Sequence, residues 1–151
     1  MSSRCQARSQ LLLAHTISAA LLIESCAPFL NRADNPRVVL FSSIFGSITA
    51  RRGLCTSVPV DTTRVLPECL SYAALNMVAA AYASKYSNWK INAVCPGYDV
   101  VEKILGCDKV LEPDRSRQNR SDALAQLVKM STLGPGGETG TFTNRDGKLP
   151  W

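Results

Sequence analysis

Two short apolar runs constrain this chain more than any other feature. They are "NPRVVLFSS", residues 35–43, and "KINAVCPG", residues 90–97. Each is apolar without the alternation of a strand that has one face in water. A strand of that kind is buried on both faces, and strands buried on both faces belong to parallel sheets covered by helices. The turn chemistry agrees: the first run is entered through Asn-Pro and the second ends in Pro-Gly. A third segment, "TGTFTN" at 139–144, has the same strand character.

Helical periods separate these runs. Over 9–30, Leu12, Leu13, Thr16, Ala20, Ile23 and Ala27 recur at steps mostly of three or four. Over 67–86, Pro67 suits a first helical turn, Leu70, Ala74, Met77 and Ala81 mark one face, and alanine dominates the rest. Residues 99–107 and 118–132 predict two shorter helices. Residues 44–66 hold Gly46, Gly53 and Pro59 with no clear period and are expected to be loop. Helix, strand, helix, strand, helix, strand predicts an α/β three-layer sandwich. About three parallel strands would carry flanking helices, joined by right-handed crossovers.

Composition removes several function classes. Apolar residues make up 46% of the 151 and charged residues 19%, which suits a globular chain. The net charge of +5 comes from scattered residues such as Arg4, Arg8, Arg51, Arg52, Arg115, Arg117 and Arg120. With 7% aromatic residues, no basic and aromatic stripe for nucleic acid is expected. The six cysteines, at 5, 26, 55, 69, 95 and 107, form no C-x-x-C pair, and His15 is the only histidine. A zinc site needs about four clustered ligands, so no metal is expected. Reduced, mostly buried thiols in a cytoplasmic protein fit better than a disulfide scaffold. The N-terminal "MSSRCQARSQLLLAHTISAALLIESCA" has the early arginines, apolar run and small residues of a secretory signal. His15 and Glu24 interrupt it and the helical pattern continues to Leu30, so a domain helix is expected, with no membrane partner.

Together the segments resemble a known family. "NPRVVLFSSIFGS" is similar to the strand that delivers the catalytic serine of short-chain dehydrogenases/reductases. "SYAALNMVAAAYA" resembles that family's active-site helix, usually Tyr-x-x-x-Lys followed by Ala-Ala-Leu-Asn-Met. "INAVCPGY" resembles the next strand and its Pro-Gly turn at the nicotinamide, and "LGPGGETGTFTNRDGKLPW" the closing strand and tail. The match is to the C-terminal half to two-thirds of a typical member. It implies a truncated Rossmann-like domain over 9–151 after a short tail at 1–8. It also implies an oxidoreductase of carbonyl or alcohol substrates with NADP or NAD as cofactor. Ser43 falls at the catalytic serine, and Pro96 and Gly97 at the cofactor turn. The family's pairing of two helices with their copies implies a homodimer through 9–30 and 67–86.

Several positions depart from the pattern. In the family a tyrosine phenol exchanges the proton, and a lysine four residues on lowers its pKa and holds the nicotinamide ribose. "SYAALNM" sets the register: Tyr72 stands at the lysine and Glu68 at the tyrosine. The asparagine often carried by the preceding long helix is replaced by His15. Tyr82 and Lys85 lie too late on the helix and are expected to be packing and surface residues. No glycine precedes Gly46, so these residues hold no Gly-rich turn for a pyrophosphate. The expectation is an oxidoreductase-like protein without its proton-transfer couple. The alternatives are a non-catalytic remnant, a self-associating module, or the product of an incomplete gene. Strand 37–42, interior in the family, is expected to keep one edge unpaired.

Overall fold

The computed structural model describes residues 3–57, 65–96 and 124–151. A long helix opens the chain as α1 (Ser3–Leu12), a π-helical turn (Leu13–Ile17) and α2 (Ser18–Leu30). It therefore begins six residues before the expected start at residue 9. Strand β1 (Arg37–Phe41) follows, then a 3-10 turn (Ile44–Gly46), α3 (Ile48–Ser57) and α4 (Leu66–Lys85). Strand β2 (Lys90–Val94), a helix α5 over 124–131, and strands β3 (Thr141–Asn144) and β4 (Gly147–Lys148) complete the described chain.

The sheet order is β1-β2-β3-β4. The first three strands are parallel and in the expected order, with Val38 opposite Ile91 and Ala93 opposite Phe142. A short antiparallel strand, β4, was not expected. It returns through the turn 145–146, with Thr143 opposite Lys148. Among the described strands β1 pairs on one side only. The expected helix over 118–132 is present as α5, while the one expected over 99–107 lies outside the described residues.

The loop expected over 44–66 is the main correction. It contains the 3-10 turn and the ten-residue helix α3. Ser47 makes that helix possible: its hydroxyl accepts the Ala50 backbone N–H at 3.0 Å, an N-terminal cap. Propensity favours α4 at both ends, with proline and Glu68 in its first turn and Lys85 in its last.

The core lies between α4 and one face of the sheet. Ile23, Leu40, Leu75, Ala79, Trp89, Ile91 and Phe142 are all buried in one cluster. α5 sits on the opposite face, where Gln126 Nε2 donates to Thr143 Oγ1 at 2.9 Å. Asn92 pins the register from inside the sheet. Its Oδ1 accepts from the Thr141 backbone N–H at 3.0 Å and the Thr141 hydroxyl at 2.8 Å, and its Nδ2 donates to the Glu138 carbonyl at 2.9 Å. The helix spanning Ser9–Leu30 is long and apolar enough, by length and composition, to cross a bilayer. One side of it packs on α4, with Ile23 in the core and the Thr16 hydroxyl bonded to the Ser71 carbonyl at 3.1 Å.

Candidate functional site

The site is built at the C-terminal ends of β1 and β2. As β1 ends, Ser42 N–H still donates to the Val94 carbonyl at 2.8 Å, continuing the ladder one residue past the strand. Its hydroxyl donates to Asn76 Oδ1 at 2.5 Å and ties the strand end to the middle of α4. Ser43 comes next. It is 6% exposed, and its Oγ accepts the Phe45 backbone N–H at 3.3 Å, which makes it the cap of the 3-10 turn. Cys95, directly after β2, has its Sγ 3.2 Å from the Ile44 N–H that donates to it. Of the two residues expected at the cofactor turn, Pro96 is half-buried after Cys95 and Gly97 lies outside the described residues.

The turn reaches α4 at very short range. An ideal Cβ on Gly46 would lie 2.6 Å from the Tyr72 carbonyl carbon and 2.9 Å from the Ala73 nitrogen. Only a residue with no side chain lets the turn touch the helix backbone. This contact holds Ser43 beside the first turns of α4, where Glu68, Cys69, Ser71 and Tyr72 project.

The long helix supplies the third wall. The π turn has the Ser18 N–H bonded to the Leu13 carbonyl, five residues back. His15 sits inside this turn, with its ring stacked on Tyr72 at 4.9 Å between centroids. His15 Nδ1 is 3.1 Å from Ser71 Oγ, and that hydroxyl donates its one hydrogen to the Glu68 carbonyl at 2.9 Å. Ser71 therefore accepts from His15, and Nδ1 carries a hydrogen. The structure thus brings His15 to Tyr72 across 57 residues of sequence.

The electrostatics of the site favour neutral groups. Burial pushes the Tyr72 phenol above its ordinary value, and Cys95 and Glu68 push the same way. Burial also raises the Cys69 thiol, against the pull of Arg51. One carboxylate oxygen of Glu68 is buried with no hydrogen-bond partner. The sequence reading passed over Ser71, Cys69 and Cys95 as site residues. Their signal was positional: each stands within three residues of a position fixed by the "SYAALNM" and "INAVCPG" registers.

Tyr82 and Lys85 lie away from this cluster and form a staple between helices. The Tyr82 hydroxyl donates to Glu24 Oε1 at 2.6 Å, and the Lys85 ammonium lies 5.6 Å from the Tyr82 ring centre and 5.1 Å from that of Tyr86. The hydrogen bond to Glu24, more than burial or charge, lifts the Tyr82 phenol from 10.0 to about 12. The unfolded chain therefore releases this proton first as pH rises. The bond contributes fully below pH 10 and is lost on the way to about 12. The urea midpoint of the wild type is expected to exceed that of Tyr82→Phe at neutral pH, with the gap closing over that alkaline window. A gap that stays constant through it would refute the assignment.

No family model matches the chain. It is 31% identical over 147 residues to the short-chain dehydrogenase/reductase ATR10 of Stachybotrys chlorohalonatus, covering 88% of this chain and 51% of that protein. It is 26% identical to (-)-isopiperitenone reductase of Mentha piperita, covering 85% of this chain and 48% of the relative. The chain thus spans about half the length of the curated relatives it matches. Among solved structures it superposes on the NADPH-bound carbonyl reductase from chicken fatty liver with a TM-score of 0.69 and 23% identity, covering 97% of this chain and 57% of that one. Menthone neomenthol reductase from Mentha piperita gives a TM-score of 0.63 at 21% identity, over 93% of this chain and 51% of the other. The parallel sheet with its serine-bearing turn, the α4 register and these likenesses place the chain in the short-chain dehydrogenase/reductase family.

Proposed function

We propose that this chain is a reductase-type domain, kin to NADP- or NAD-dependent oxidoreductases of carbonyl and alcohol substrates, whose own residues do not carry hydride transfer. The observation behind this reading is the pair at positions 68 and 72. Tyr72 offers a neutral phenol, raised by burial, where the family's chemistry needs a cation to lower a neighbouring phenol and hold a ribose. The ring of His15 lies against it. Glu68 in the first turn of α4 cannot take over as a phenolic acid. Ser43 keeps its family position, with its oxygen committed to capping a turn. The residues present therefore do not fit a nicotinamide ribose, and no redox step is assigned to them. This reading goes with a cytoplasmic location.

Calorimetric titration of the purified chain with NADPH and with NADH tests it. No saturable binding and no NADPH oxidation with carbonyl compounds are expected. Binding in the range of about 1 µM to 1 mM usual for enzyme substrates, or turnover of the cofactor, would overturn it.

A second reading is favoured by exposed apolar side chains on the same two helices. Leu13, Ile17 and Leu21 on the long helix and Leu66, Leu70 and Met77 on α4 are each at least 47% exposed. An isologous pairing of two copies through these helices would cover them. Light scattering is expected to give the mass of a dimer, shifted toward monomer by Leu70→Glu with Met77→Glu. A wild-type chain that stays monomeric at about 100 µM, well above the dissociation constants usual for specific dimers, would remove this reading.

A further inference from the structure

A cleft of about 210 Å³ lies between α5 and the β3–β4 hairpin. It shares no residue with the Ser43, His15 and Tyr72 cluster. Gln126, Lys129, Met130 and Leu133 line it at helical steps of three and four, so one face of α5 and its C-terminal end form a wall. The floor is polar and deeply placed. Gln126 and Thr143 are 7% and 3% exposed and bond to each other at 2.9 Å. In that bond the amide donates and the threonine oxygen accepts, so the hydroxyl hydrogen remains. Among the described residues neither this hydrogen nor the Gln126 amide oxygen has a protein partner. A buried polar pair left half satisfied is costly unless a further group completes it.

The charges at the mouth indicate the sign of that group. Lys148 Nζ is 3.5 Å from Glu138 and Arg145 Nε is 3.1 Å from Asp146, so these cations are matched. Lys129 has no acidic partner among the described residues, and it leaves the cleft positive. Met130, 3% exposed, and Leu133 add an apolar strip beside it.

We propose that this cleft binds a small organic oxyanion, a carboxylate or phosphate monoester on a short aliphatic chain. The oxyanion takes the Thr143 hydroxyl hydrogen and the Lys129 ammonium, and the aliphatic part lies along Met130 and Leu133. Charge-assisted hydrogen bonds of this kind are the stronger class, and a buried Gln–Thr floor distinguishes the cleft from a patch of surface lysines.

The test is a nuclear magnetic resonance titration of the ¹⁵N-labelled chain with butyrate and with propyl phosphate, each against sodium chloride at equal ionic strength. Saturable shifts of the Gln126 side-chain amide and the Thr143 backbone amide are expected with one of the two anions, which also identifies the anion class. The affinity is expected to drop about tenfold in Lys129→Gln, the loss of one charged contact. Lys129 is exposed, so that variant keeps the fold, and its own spectrum verifies this. Equal shifts with chloride, no saturation with either anion, or an unchanged affinity in Lys129→Gln would each overturn the proposal.

Discussion

Gly46→Ala is expected to lower the urea midpoint more than any other single methyl added to the described chain. The new Cβ would meet the Tyr72 carbonyl carbon at 2.6 Å, the Tyr72 oxygen at 2.7 Å and the Ala73 nitrogen at 2.9 Å. All three are backbone atoms of α4. A flexible side chain would swing aside; a hydrogen-bonded helix held in a core does not. Overpacking of this kind costs about 1–3 kcal/mol, and backbone obstacles put this case at the upper end. That is a large part of the ~5–15 kcal/mol by which domains are stable. Gly136→Ala is the control, because nothing lies within 4 Å of its added methyl. Equal midpoints for the two variants would show that the turn and α4 are not in contact. The substitution would also move Ser43 and Tyr72 apart, since Gly46 is what lets their elements touch.

Trp89→Ala is the second large loss. Trp89 is 0% exposed and stacks on Tyr86 with centroids 3.9 Å apart, and its Nε1–H donates to Asn31 Oδ1 at 3.2 Å. It joins the end of α4, the turn after α2 and the start of β2. Truncating a buried tryptophan costs about 3–5 kcal/mol in lost transfer energy and cavity. Trp89→Phe keeps an aromatic ring and loses the indole bond, an interaction of about 1 kcal/mol together with some packing volume. The expected order of thermal midpoints is wild type, then Trp89→Phe, then Trp89→Ala by a wide margin. Coincident midpoints for the two variants would mean that the indole bond, not the buried volume, holds this corner.

The parallel strands were legible because burial on both faces writes itself as unbroken apolar sequence. "RVVLF" and "KINAV" carry that pattern, and the strands lie where it is. Helix α3 was not legible. "ITARRGLCTS" has a glycine, two arginines and no strong period, so its helix depends on context and on the cap from Ser47. That serine, three residues before Ala50, was the one local signal. Strand β4 is two residues long and carries no strand pattern, yet Asp146-Gly147 is a turn signature that points to a hairpin. The site was legible as a register, which assigned residues 43, 68 and 72. Its contacts were not: that Ser43 caps a turn, that His15 stacks on Tyr72, and that Cys95 receives the Ile44 N–H follow from tertiary packing alone.

The π turn at Leu13–Ile17 acts as a phase adjuster. An α-helix advances about 100° per residue, so one inserted residue rotates everything before it by that angle relative to everything after. The face that carries Ile23 into the core and the turn that places His15 over Tyr72 are thereby set separately within one continuous rod. Loss of a single residue from this turn would restore regular winding. It would turn α1 about 100° around its axis, leaving the stability of α2 untouched while stripping the site of its aromatic cover.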